Sequence, residues 1–312
     1  MSITMTSTGT ATQPSWDLTG GLHQLFAYHF MQNAFIAGTL IALAAGAVGY
    51  FMVLRRQSFA GHTLAQIGFA GAAGGVLLGW PPVVGLLLFA IGAALGIGKL
   101  GEKSTQTVWG FDIAIGTVHT FALGLGLLFV RLSSTNAAGV YAMLFGAVLG
   151  ISDRDVWIIA LTAVVTLLGL AVIARPLLFA SIDPAVAEAR GVPVRRLTIA
   201  FLVLLAFAVA QAVQVVGVLL IFALLVTPAA ISQQVTSRLA PGIVLSIALA
   251  LLFTWTGLTV AYFTAYPVGF FITTVAFGTY GLVRLSRLVR ASLARRSRVM
   301  HERRLAGPLR PS

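Results

Sequence analysis

Asp183-Pro184-Ala185-Val186-Ala187-Glu188-Ala189-Arg190-Gly191-Val192-Pro193 is the most water-compatible interval between two long apolar runs. A proline in the first turn, then alanine, glutamate and arginine, closed by Gly-Val-Pro, spells a short capped helix. Asp183 is its natural N-cap and Gly191 its natural stop. Spanning a bilayer takes roughly 20 apolar residues, so this helix lies at a membrane surface, facing water or a partner.

The rest of the chain supplies the membrane. Of 312 residues, 58% are hydrophobic and 9% charged, and the mean hydropathy is +0.97. Soluble domains carry about 25% charged residues, so the composition predicts an all-α, polytopic membrane helix bundle. The formal charge of +12 does not point to nucleic acid, because nine of the twenty basic residues lie between Arg284 and Arg310, beyond the last apolar run. That is the pattern of a basic cytoplasmic tail close to anionic lipid. With no cysteine in the chain, disulfides, thiolate metal sites and iron–sulfur clusters are excluded.

Three regions follow: a disordered leader over 1–25, a transmembrane domain over 26–286 and a basic tail over 287–312. Arg55 and Arg56 are the first basic residues and directly follow the apolar run Ala34–Leu54. The first span therefore runs from outside to cytoplasm. Further spans are expected near 61–79, 83–97, 108–130, 157–174, 197–213, 217–235, 243–263 and 270–285. The short apolar stretch Ala138–Ile151 is read as a re-entrant helix. The count is about nine spans, with the N-terminus outside and the surface helix and C-terminus in the cytoplasm.

Ionisable groups inside spans are costly, so they are the candidates for function. Asp112, His62 and His119 qualify, and Gln66 shares a helix face with His62. Imidazole and carboxylate suit Zn²⁺, Mn²⁺ or a similar first-row cation. The structural alternative is that His62 and Asp112 reach water at the boundary and His119 bonds a neighbouring helix. Gly217 opens a span that contains Pro228, and a proline there removes a backbone bond and kinks the helix. Gly96–Ser104 approaches the phosphate-loop pattern but has Glu102 at the lysine position. It is a loop with snorkelling lysines, and no nucleotide site or hydrolase constellation is expected in the chain.

At this point the chain resembles a family. Asp183–Pro193 is similar to the cytoplasmic coupling helix, D-P-x-x-A-x-x-x-G-[VI]-x, of the ABC permeases that import zinc and manganese. Val216–Ala230 resembles that family's V-G-x-L-L-x-x-A-L-L-x-x-P-A-A helix, and Arg55-Arg56, Asp112-x-x-Ile115-Gly116, Leu144-Phe145-Gly146 and Pro267-x-Gly269 add further matches. The resemblance implies a permease, paired with a second copy or a related one. A separate ABC ATPase would grip the coupling helix through Asp183, Pro184, Ala187, Glu188, Arg190 and Gly191. An extracellular metal-binding protein would deliver a divalent metal. No cofactor would be bound permanently, and ATP would be used only by the partner subunit, so the chain itself would not be an enzyme.

The departures fall on polar positions. The family's G-D-x-x-x-H reads Gly61-His62-Thr63-Leu64-Ala65-Gln66 here, its L-F-G-D reads Leu144-Phe145-Gly146-Ala147, and its D-x-P reads Ala265-Tyr266-Pro267. Losing carboxylates favours Zn²⁺ over the harder Mn²⁺. The rival expectations are a permease for a metal chelate such as a siderophore or cobalamin, and a membrane scaffold that kept the fold without transport.

Overall fold

The computed structural model describes residues 27–103, 109–132, 144, 146, 150–218, 220–264 and 266–305. Among these residues all regular structure is helical. The helices are α1 (His29–Leu54), α2 (Ser58–Leu77), α3 (Pro82–Lys103), α4 (Trp109–Leu132), α5 (Asp153–Ile182), α6 (Pro184–Ala189), α7 (Val194–Val216), α8 (Ile221–Leu225), α9 (Thr227–Val235), α10 (Leu239–Phe263) and α11 (Val268–Leu305). The leader over 1–25 lies outside the described residues.

Helices are what a bilayer demands, because each backbone polar group must find its partner inside the segment. Seven helices are long and apolar enough to cross: α1, α3, α4, α5, α7, α10 and α11. Two of the nine expected spans fall outside these seven. α2 has 20 residues but carries His62, Thr63 and Gln66, which lower its apolarity. The stretch expected to span 217–235 is broken into α8 and α9. Leu220, just before α8, lies beside Gly269 at the start of α11, whereas Gln233 in α9 reaches Tyr50 O near the end of α1. The two short helices together thus pass from one end of the bundle to the other.

α1 is at the centre, with Ile41, Ala45, Val48, Phe51 and Met52 fully or almost fully buried. It runs antiparallel to α10, tied by Ser246 Oγ donating to Gly46 O at 2.8 Å and Trp255 Nε1 donating to Thr39 Oγ1 at 3.0 Å. Small residues set the closest approaches, as they must where lipid offers no hydrophobic drive between helices. A Cβ on Gly71 of α2 would stand 2.3 Å from Gly85 O of α3 and 2.4 Å from Phe89 Cβ. By contrast, α4 and α5 present Phe121, Leu127, Trp157, Leu161 and Val172 outward, each at least 66% exposed. Those faces suit lipid or a second chain.

The expected re-entrant stretch Ala138–Ile151 falls almost wholly outside the described residues. The described ends of α4 and α5 on either side of it nonetheless have a fixed parity. The end of α4 lies near the end of α2, where Phe129 meets Gly74. The tight turn between α1 and α2 reverses the chain, so that end of α2 lies at the same end of the bundle as the start of α1. There Asp153, opening α5, accepts from Asn33 Nδ2 at 2.7 Å and pairs with His29 Nε2 at 2.8 Å. The chain therefore leaves α4 and enters α5 at the same end of the bundle.

At the opposite end α6 forms as its residues dictate. Asp183 Oδ1 accepts from the Val186 N–H at 3.0 Å, Pro184 sits in the first turn, and Gly191 adopts φ +82° after the last turn. α11 continues unbroken to Leu305 rather than ending near 286. Arg, Leu and Ala favour helix, and no glycine or proline interrupts them before Gly307 and Pro308.

Two predictions follow from this packing. Gly71→Val should destabilise the protein by about 1–3 kcal/mol, since neither Gly85 backbone nor Phe89 can yield without moving α3; thermal unfolding in detergent measures it. Single cysteines at Leu132 and Arg154 should both react with an impermeant maleimide added to the same side of sealed vesicles. Labelling from opposite sides would overturn the parity.

Candidate functional site

Three of the polar residues singled out from the sequence, His62, Gln66 and His119, meet at one place. His62 lies in the second turn of α2 and Gln66 one turn later, so both leave the same helix face. α4 runs beside α2 in the same direction, brought close where a Cβ on Gly126 would stand 2.8 Å from Ala70 Cβ. This register sets His119 opposite Gln66.

The side chains make a three-membered bridge. Gln66 Nε2 donates to His62 Nε2 at 3.0 Å, and His119 Nε2 donates to Gln66 Oε1. This arrangement assigns the proton of His62 to Nδ1 and that of His119 to Nε2. All three residues are half-buried. His62 Nδ1 is buried with no hydrogen-bond partner, as is the neighbouring Thr63 Oγ1. Buried polar atoms are normally satisfied, so orphans beside a bridge of imidazoles mark a place built for something besides packing.

The fourth component escaped the sequence reading. Phe222 of α8 meets the His62 ring edge-on, with centroids 5.7 Å apart and planes at 73°. An apolar residue in an apolar run carries no signal of its own. The available signal was the pair Gly217 and Pro228 on either side of it. Gly217 closes α7 at φ +83°, ending the helix well before α8 begins. Pro228 does not kink a continuous helix. It lies in the first turn of α9, where a missing N–H costs nothing, and the break falls at Val226. Irregular backbone within a membrane bundle is tolerated where it is buried in protein or lines a cavity, and this one delivers Phe222 to His62.

Asp112 belongs to the first turn of α4, two turns before His119; its side chain lies outside what the structure describes. Among the described residues no three His, Cys, Asp or Glu side chains come together. Two imidazoles and an amide can offer nitrogen and oxygen lone pairs to a passing cation, but they do not form a closed cage.

A second candidate surface lies at the far end. Ala187 is fully buried and anchors α6, while Glu188 and Arg190 are exposed. Beside it opens a concavity of about 680 Å³ lined by Glu188, Val192, Pro193, Arg195, Arg196 and Ile199. The six proposed coupling residues thus share one short, capped, protruding element.

Comparison with known proteins agrees with this architecture. The manganese transport system membrane protein MntC of Listeria monocytogenes is 35% identical over 227 residues, covering 72% of this chain and 79% of that one. The manganese import system permease protein ScaB of Streptococcus parasanguinis is 33% identical over 249 residues, covering 80% and 86%. Among solved structures, PsaBC from Streptococcus pneumoniae in complex with Fab superposes with a TM-score of 0.75 at 28% identity, over 85% of this chain and 95% of that one. The ABC 3 transport family matches residues 27–285, from the start of the described helices well into α11. With its multi-pass helical bundle and a family match running through the bridge and α6 alike, the chain belongs to the ABC 3 transport family.

Proposed function

We propose that this chain is the permease subunit of an ATP-driven importer that carries a divalent metal ion, Zn²⁺ in preference to Mn²⁺, across a bacterial cell membrane. The observation that carries this reading is the His62–Gln66–His119 bridge. The relatives named for manganese support a first-row divalent cargo. The donors argue for the softer end of that series, because imidazole suits Zn²⁺ while Mn²⁺ prefers carboxylate and water oxygens.

The bridge also suggests how a cargo is handled. With no ion bound, the Gln66 amide holds the two rings at a fixed spacing. An arriving cation takes the His62 Nε2 lone pair and Gln66 Oε1, replacing two hydrogen bonds with coordination, and His119 joins as the second imidazole once its proton shifts from Nε2 to Nδ1. A conducting site must release what it binds, and a few neutral ligands suit that better than a closed four-ligand cage. α6 is the element that a partner ATPase would move, with Glu188 and Arg190 as polar contacts. A binding protein would deliver the ion at the end where α1 begins, and a second permease copy would pair with this one.

Uptake of ⁶⁵Zn²⁺ and ⁵⁴Mn²⁺ in a strain lacking its own importers tests this directly. His62→Ala and His119→Ala should each lower Zn²⁺ uptake by about 10-fold or more, on the scale of losses seen around metal sites. Full uptake by both variants would sink the assignment, and movement of Mn²⁺ to the exclusion of Zn²⁺ would overturn the selectivity. Gln66→Glu places a carboxylate between the rings and should raise the Mn²⁺:Zn²⁺ uptake ratio. A ratio that stays constant would show that this position does not select the ion.

A further inference from the structure

Arg55 sits at the C-terminal end of α1, in the tight turn that leads into α2, and its side chain reaches away from that turn. Nη2 donates to Thr198 Oγ1 at 2.8 Å and Nη1 to Ser181 Oγ at 3.2 Å, while the guanidinium lies 5.7 Å from the centre of the Phe201 ring. Ser181 is in the last turn of α5 and Thr198 in the second turn of α7. α6 hangs between those two helix ends. Arg55 therefore bridges both arms of the hairpin that carries α6.

The chemistry of the acceptors explains why arginine stands there. Ser181 Oγ donates its proton to Leu177 O at 2.5 Å, and Thr198 Oγ1 donates to Val194 O at 2.9 Å. Each hydroxyl has spent its donor on its own helix and offers only lone pairs. A fork of donors with no acceptor satisfies both at once, which a single ammonium cannot do with the same geometry. On its other side Arg55 is held rigidly. The turn is closed by Arg56 N–H donating to Val53 O at 3.0 Å and Gln57 N–H donating to Met52 O at 2.9 Å. Arg56 takes φ +57°, a left-handed conformation that a non-glycine residue adopts only under constraint. α2 starts immediately after Gln57, and His62 follows Arg55 by seven residues.

We propose that Arg55 is a positioning residue that makes α6 and the start of α2 move as one body, so that a push on α6 arrives at the His62–Gln66 face. This rests on the permease reading above. It assigns to Arg55 the link between the driven end of the protein and the site, a role apart from contact with either ATP or cargo.

The test uses the assembled complex of permease, partner ATPase and binding protein in proteoliposomes. The chain has no native cysteine, so spin labels can be placed at Ala185 of α6 and Phe59 of α2, both exposed. With Arg55 present, the label pair should give one narrow distance with and without ATP. Arg55→Ala should make that distance change with nucleotide, and metal moved per ATP hydrolysed should fall about tenfold, with hydrolysis itself maintained. Arg55→Lys should fall between the two. If Arg55→Ala does not assemble, Ser181→Ala with Thr198→Val removes both acceptors and leaves the charge in place, with the same expected result. An unchanged distance with unchanged metal per ATP overturns the proposal, and so does a parallel loss of transport and hydrolysis, which marks a structural staple. A wild-type complex that moves no divalent metal overturns the function reading alone, because the distance measurement requires only ATP-driven movement of α6.

Discussion

Inside a bilayer a backbone N–H or C=O that lacks a partner costs several kcal/mol, and this chain meets that constraint with long helices almost everywhere. Among the described residues the exception is the stretch from Gly217 to Val226, where α7 has ended, α8 lasts five residues and α9 has yet to begin. Its place beside His62 is what gives the exception meaning. The break allows an apolar ring, Phe222, to approach the bridge from a direction that a continuous α7 could not supply. The hydrogen-bond rule that builds the bundle also marks where the bundle is interrupted for another purpose.

The two ends of the molecule differ in what holds them. At the α1 N-terminal end, Asp153 gathers His29 and Asn33 and seats α5 against α1. At the α6 end, Arg55 gathers Ser181 and Thr198 and joins α1 to α5 and α7. In each case one charged residue ties neighbouring helix ends together through directional hydrogen bonds, two helices at Asp153 and three at Arg55, because apolar packing alone would leave helix register loosely specified in lipid. The bridge of His62, Gln66 and His119 lies between these ties, on the two helices that Gly126 and Ala70 bring close together.

Local features were readable from residues alone. Asp183, Pro184 and Gly191 announce the start and stop of α6 because capping is decided within a few residues, and all three occupy the expected positions. The helical character and the ends of most long helices followed from apolar runs bounded by charge. What composition could not supply was partnership. His62 and His119 stood out as ionisable groups in spans, yet Gln66 as the link between them depends on how α2 and α4 pack. In the sequence Arg55 oriented the first span and, with Arg56, matched the family pattern, but a basic residue after an apolar run signals a membrane boundary whatever it touches. Two expected spans, α2 and α8–α9, lack the apolarity or the unbroken length of the other seven, and both lie at the site, where conflicts between local preference and fold gather.

Whether His62, Gln66 and His119 handle the ion is decided by X-ray absorption spectroscopy of the assembled permease loaded with Zn²⁺. Two imidazole nitrogens are expected in the first coordination shell at about 2.0–2.1 Å, one of them lost in His62→Ala and the other in His119→Ala. A shell of oxygen alone, or one that neither substitution alters, would contradict that assignment.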